Sequence, residues 1–103
     1  MNTQIFENIC TLKRQLLPND RMILFGSQAR GDARPDSDWD LLVLLNKEKK
    51  TFEDEDNYGY PFDKMGWNHG VAINTILYST AEWEKRRITP FYKNVEKDGI
   101  EID

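Results

Sequence analysis

Cysteine and histidine each occur once in the 103 residues, and that scarcity removes several chemistries at the outset. A single thiol, Cys10, cannot close an internal disulfide. It falls on a helical face beside Phe6 and Leu17, so a buried apolar thiol is expected rather than a nucleophile. The lone imidazole, His69, lies in the loop Trp67-Asn68-His69-Gly70, where a surface or capping role is expected rather than general-base chemistry. Long hydrophobic runs are missing as well. The longest uninterrupted aliphatic stretch is Leu41 to Leu45, too short to span a bilayer, and MNTQIFENIC has no basic segment leading into an apolar one. A soluble, cytoplasmic protein with no membrane partner is therefore expected. Positive charge is in deficit too: the net charge is −4 and the pI about 5.0. Phosphate contacts dominate nucleic-acid affinity, so a nucleic-acid polymer is not the expected partner. The length gives room for one domain, residues 1–103, with a modest core. A separate acceptor-binding domain is not expected within this length, and no repeat or low-complexity segment is visible.

What is present is concentrated between Met22 and Leu45, MILFGSQARGDARPDSDWDLLVLL. An apolar run ends at Gly26-Ser27, a polar turn follows, and a second apolar run starts inside Asp38-Trp39-Asp40. Side chains at i and i+2 share a face only in extended backbone. Leu41 to Leu45 is β-compatible, so Asp38 and Asp40 are expected side by side at the opening of a strand, with Trp39 turned to the other face as core. Two carboxylates held close repel each other unless a cation neutralises them. Mg²⁺ suits the pair, because it takes one or two carboxylates together with substrate phosphates. Gly26 allows close backbone approach, and Ser27 offers a hydroxyl and an amide at the start of a short helix, Ser27 to Arg30. Arg30 and Arg34 are placed to add charge-assisted contacts, with Asp32 or Asp36 as competing partners for Arg34. Gly-Ser alone or Asp-x-Asp alone reads as a turn or a strand edge. Their joint occurrence between two apolar strands is much more specific.

Gly26-Ser27, ten intervening residues and Asp38-Trp39-Asp40 resemble the signature of the DNA polymerase β-like nucleotidyltransferase superfamily. The run Gly-Ser-x-Ala-Arg-Gly-Asp-Ala-Arg-Pro-Asp-Ser-Asp-x-Asp resembles its minimal, antitoxin-like branch. The resemblance covers the first half strongly and the second half only in its order of elements. It implies an α/β (α+β) fold, a small mixed sheet flanked by helices. It also implies a two-metal Mg²⁺ site and transfer of a nucleotidyl group, AMP from ATP by preference, to a hydroxyl of a protein or small molecule. Nucleotide-binding roles fall on Gly26, Ser27 and Arg30, and catalytic and metal roles on Asp38 and Asp40. Members that transfer nucleotides bring a third carboxylate from the next long strand, and counting back from Ser79 puts Asn74 at that position, a weak metal ligand. An amide oxygen can bind Mg²⁺, but it is neutral and cannot accept the acceptor's proton. The two-metal site is then incomplete, and Asp63, Glu53 or a partner chain would have to substitute.

Elsewhere the periodicity predicts a helix over Thr3 to Leu17, with Ile5, Ile9, Leu12 and Leu16 on its buried side, and strands over Arg21 to Phe25, Trp39 to Leu45 and Val71 to Tyr78. The first two strands lack polar alternation and so should be covered on both faces. Between Asn46 and Gly70 one kinked helix or two short ones is expected, starting at Thr51, with Phe52, Tyr58, Phe62, Met65 and Trp67 buried and the acidic run Glu53 to Asp56 solvated. Ser79-Thr80-Ala81-Glu82 is a capping box. Pro90 starts a last helix that Gly99 caps, and Ile100 to Ile102 closes the sheet. Lys85, Arg86 and Arg87 belong near a helix end, where the dipole favours them, with partner contact as the second reading.

Two functional classes follow. One is an enzyme that moves AMP onto a hydroxyl, some members resembling this one being antitoxins that modify a small all-helical HEPN-type toxin. The other is a degenerate nucleotide-binding module that acts on its partner by contact alone. Both need a partner surface, a toxin or a second copy of the chain.

Overall fold

Residues 2–103 are described by a computed structural model. Helix α1, Thr3–Leu16, begins where Asn2 accepts hydrogen bonds from the amides of Gln4 and Ile5, the expected N-cap geometry. Strands β1 (Arg21–Phe25) and β2 (Trp39–Leu45) flank the four-residue helix α2 (Ser27–Arg30). After a helical run come β3 (Ile73–Ser79), α5 (Thr80–Glu84), α6 (Pro90–Asp98) and β4 (Ile100–Ile102). The sheet order is β3-β2-β1-β4. β1 runs antiparallel to β2 and β4, while β2 and β3 are parallel. This is the mixed α+β sheet the motif implied.

The absence of alternation in β1 and β2 has the expected cause, since helices cover both sheet faces. Met22, Leu24, Trp39, Leu41, Val43 and Leu45 pack with Ile5, Ile9, Leu17 and Phe62 on one face. Ile23, Leu42 and Leu44 pack with Trp83 and Val95 on the other.

The run after β2 resolves into α3 (Phe52–Asp54), a π-helical turn (Glu55–Gly59) and α4 (Tyr60–Asn68). The amide of Tyr60 reaches back to Glu55 O, and this wider turn accommodates Pro61, which has no N–H to donate and would crowd the carbonyl four residues earlier. The extra residue also shifts the helical phase. Phe62 is buried and Tyr58 and Met65 are half-buried, but Phe52 is 95% exposed and Trp67 61% exposed, contrary to the sequence expectation. Trp67 instead meets Tyr60 edge-on at 5.9 Å on the outer side. The acidic run is not uniformly solvated either. Asp54 is buried and accepts from the Thr51 amide at 2.8 Å and Lys47 Nζ at 2.9 Å.

Smaller corrections have local causes. Cys10 is half-buried rather than fully buried, and partial burial raises its thiol pKa. β3 starts two residues later than expected, at Ile73, which pairs with Trp39, the first residue of β2. Gly99 does cap α6 through its amide to Val95 O, yet its backbone is extended (φ −69°) rather than left-handed. Space is the reason for glycine there, since a Cβ would collide with Ile23 and with Val95 O.

Candidate active site

The site is built where the end of β1 meets the beginnings of β2 and β3. Phe25 pairs with Asp40 across the antiparallel ladder, and Asn74 pairs with Asp40 across the parallel one. Gly26, Asp40 and Asn74 are thereby brought to one corner of the sheet. Asp38, two residues before Asp40, joins them: Asn74 Nδ2 donates to Asp38 Oδ2 at 3.1 Å and to Asp40 Oδ1 at 3.2 Å. Trp39, between the aspartates, is 1% exposed on the opposite face, as alternation requires.

Gly26 has φ +75° and ψ −157°, a conformation open mainly to glycine. A Cβ there would collide with Asp40 Oδ2, so the glycine both makes the strand-to-helix turn and leaves the carboxylate its place. Helix α2 starts at the next residue. First-turn amides have no partner within a helix, and Gly26 supplies no side-chain cap, so the amide of Ser27 has no intrahelical acceptor at the residue that follows Gly26. Arg30 is exposed and reaches Asp32 Oδ2 through Nε at 3.3 Å. It also lines a cleft of about 230 Å³ with Phe25, Gly26, Asn94, Val95 and Asp98. The α6 wall of that cleft, Asn94 and Asp98, was not legible in the sequence, because only the β1–β4 pairing brings α6 to β1.

Several candidates fall elsewhere. Arg34 contributes its backbone amide to Ser37 Oγ at 2.7 Å, and its guanidinium takes no part in the ion pairs among the described residues. Asp63 accepts from Thr75 Oγ1 at 2.9 Å. Thr75 neighbours Asn74 along β3 and points to the α4 side of the sheet, so Asp63 cannot reach Asp38 and Asp40. Burial raises its pKa, and the bonds from Thr75 only partly offset this. Glu53 is exposed on α3, in the run that follows the far end of β2. His69 caps α4, with Nδ1 2.8 Å from Met65 O and Nε2 3.3 Å from Asn8 Nδ2, the capping role its context suggested. Arg86 donates to Glu82 O near the end of α5 and lies over the Tyr78 ring, 4.4 Å from its centroid.

The donor set fits one hard cation. Two carboxylate oxygens converge on a single point, and Mg²⁺ takes such a pair together with phosphate oxygens. Among the described residues no group of three His, Cys, Asp or Glu side chains is arranged to hold a metal, so a second ion lacks a charged third ligand.

The chain is similar to several known proteins. A protein of Methanocaldococcus jannaschii named "Putative protein adenylyltransferase MJ0141" is 33% identical over 96 residues, covering 93% of this chain and 89% of the relative. A second from the same organism, "Putative protein adenylyltransferase MJ0604", is 33% identical over 82 residues, covering 77% and 73%. Among solved structures, one described as "the toxin-antitoxin with AMP-PNP" superposes with a TM-score of 0.65 at 18% identity, over 100% of this chain and 73% of that one. This is a likeness of fold. Among the described residues no helix is long and apolar enough to cross a membrane. The family model of the nucleotidyltransferase domain matches residues 4–102, and the chain belongs to that enzyme family.

Proposed function

We propose that residues 1–103 act as a single minimal domain that transfers AMP from Mg²⁺-bound ATP to a hydroxyl group, most naturally of a partner protein. The observation that carries this reading is the convergence of Asp38 Oδ2 and Asp40 Oδ1 beside the Gly26-Ser27 helix start. In such a transfer the hydroxyl oxygen bonds to the α-phosphorus, the bond to the β-phosphate oxygen breaks, and pyrophosphate leaves. Asp38 and Asp40 hold the cation, and the Ser27 amide and hydroxyl hold the terminal phosphates with help from Arg30. When bound, Mg²⁺ supplies neutralisation of developing charge on the phosphates. The acceptor's proton leaves to solvent as the oxygen bonds to phosphorus, because the Asn74 amide is no base. The relatives' names favour a protein acceptor, and the neighbour's description favours the setting of a toxin and its antitoxin, in which a small helical HEPN-type toxin would complete the acceptor surface.

The alternative is binding without transfer. It is favoured by one observation, that the side chain beside Asp38 and Asp40 on β3 is the neutral amide of Asn74.

The test is titration of ATP with and without Mg²⁺ against the wild type and Asp38→Asn/Asp40→Asn. Mg²⁺-dependent binding that the double variant loses is the expected result, and equal affinity in both proteins would refute the site. Labelled AMP appearing on a partner or on the chain itself then distinguishes the enzyme from the binding module.

A further inference from the structure

Asn74 is exposed and is held by two hydrogen bonds from one atom. Its Nδ2 lies 3.1 Å from Asp38 Oδ2 and 3.2 Å from Asp40 Oδ1, so each amide hydrogen serves a different carboxylate. Electrostatics fixes that orientation, because the reversed amide would turn Oδ1 lone pairs toward two anions. The amide nitrogen therefore stands near the point where both carboxylates converge, and a cation shared by these oxygens needs the same place.

We propose that Asn74 is a cation placeholder, a positioning residue whose amide keeps Asp38 and Asp40 together before a cation binds and must turn or withdraw when one enters. The proposal rests on the reading of Asp38 and Asp40 as cation ligands, but it reverses the sign expected of a metal-ligating asparagine. A contact made only in the empty state stabilises that state, and by linkage it lowers affinity for whatever displaces it. Without the amide the two carboxylates lose their common donor, their repulsion is relieved only by a cation, and the cation binds more tightly. The wild-type site is thereby biased against a bare ion and toward one arriving with phosphates, whose contacts with the Ser27 turn offset the displacement. Asn74 couples cation entry to nucleotide entry.

The experiment is a Mn²⁺ titration without nucleotide, read by the paramagnetic signal of the free ion. It compares wild type, Asn74→Ala, Asn74→Thr and Asp38→Asn/Asp40→Asn, with folding checked by thermal melts. Threonine keeps a strand-favouring residue while its single hydroxyl hydrogen cannot serve both carboxylates. Asn74→Ala and Asn74→Thr should each bind Mn²⁺ tighter than wild type, the alanine variant by roughly tenfold, or about 1.4 kcal/mol, and the double variant should bind none. Affinity unchanged, weaker or undetectable in both Asn74 variants overturns the placeholder, and if the double variant still loses the ion the carboxylate site survives that result. Binding by the double variant equal to wild type overturns both readings, because the ion then sits elsewhere.

Discussion

At residue scale, Gly26 answers to two constraints at once, a positive φ and the nearness of Asp40 Oδ2. Gly26→Ala should cost stability by about 1–3 kcal/mol from backbone strain and should also displace the Asp40 carboxylate. Urea denaturation and Mg²⁺–ATP titration should therefore deteriorate together, and an alanine variant that binds and unfolds like the parent would contradict this geometry. Ser27 separates the two donors. Ser27→Ala removes a hydroxyl and should weaken triphosphate binding by at most ~1.5–3 kcal/mol, the range for a hydrogen bond to a charged group. Ser27→Pro removes the amide at a helical position that tolerates proline and should weaken it further. If both variants titrate like the wild type, phosphate does not bind at this turn. The Gly-Ser turn, the aspartate pair and the register position of Asn74 were legible because strand alternation and short-range spacing govern them. The fate of Arg34 was not, since local backbone bonding by Ser37 decides its loop.

At the scale of elements, β1 and β2 were readable because burial on both faces leaves a continuous apolar run, and α1 because its apolar stripe keeps one period. The segment from Phe52 to Asn68 was readable only as helical. A π-turn adds a residue that no 3.6-residue periodicity anticipates, and Phe52 ahead of it and Trp67 beyond it both face outward. The face of the sheet that carries the carboxylates is covered by an aromatic cluster. Trp83 lies 4.7 Å from Tyr92, 5.6 Å from Phe91 and 5.6 Å from Tyr78 between ring centroids, and Phe25, next to Gly26, meets Phe91 at 5.4 Å. Trp83→Ala empties the centre of this cluster and should destabilise the fold by about 3–5 kcal/mol, the range for large aromatic truncations in cores. Chemical denaturation measures it. A loss under 1 kcal/mol would mean that α5 and α6 are not held through this side chain.

At the scale of the whole molecule, three carboxylates make stability depend on pH in opposite senses. Burial tends to raise the Asp54 pKa, but the Lys47 ammonium and the bonds from Thr51 hold it below its ordinary value. The Ser79 amide does the same for Glu82, against a smaller burial effect. Groups with depressed folded pKa values add stability above their unfolded values, about 4, and lose it as pH falls through the folded ones. Asp63 is the reverse: burial raises its pKa, so its contribution is full below the unfolded value and is lost as pH rises through the folded one. Asp54→Asn should therefore be less stable than wild type at pH 7, with the gap closing as pH falls below about 4. Asp63→Asn should equal or exceed wild-type stability at pH 7 and lose that advantage on acidification toward pH 4. Urea melts of the three proteins at several pH values between 7 and 3 give the two difference curves. Curves sloping the same way would show that the Lys47–Asp54 bridge at the start of the helical run and the Asp63–Thr75 bond between α4 and β3 do not hold these carboxylates as the structure has them.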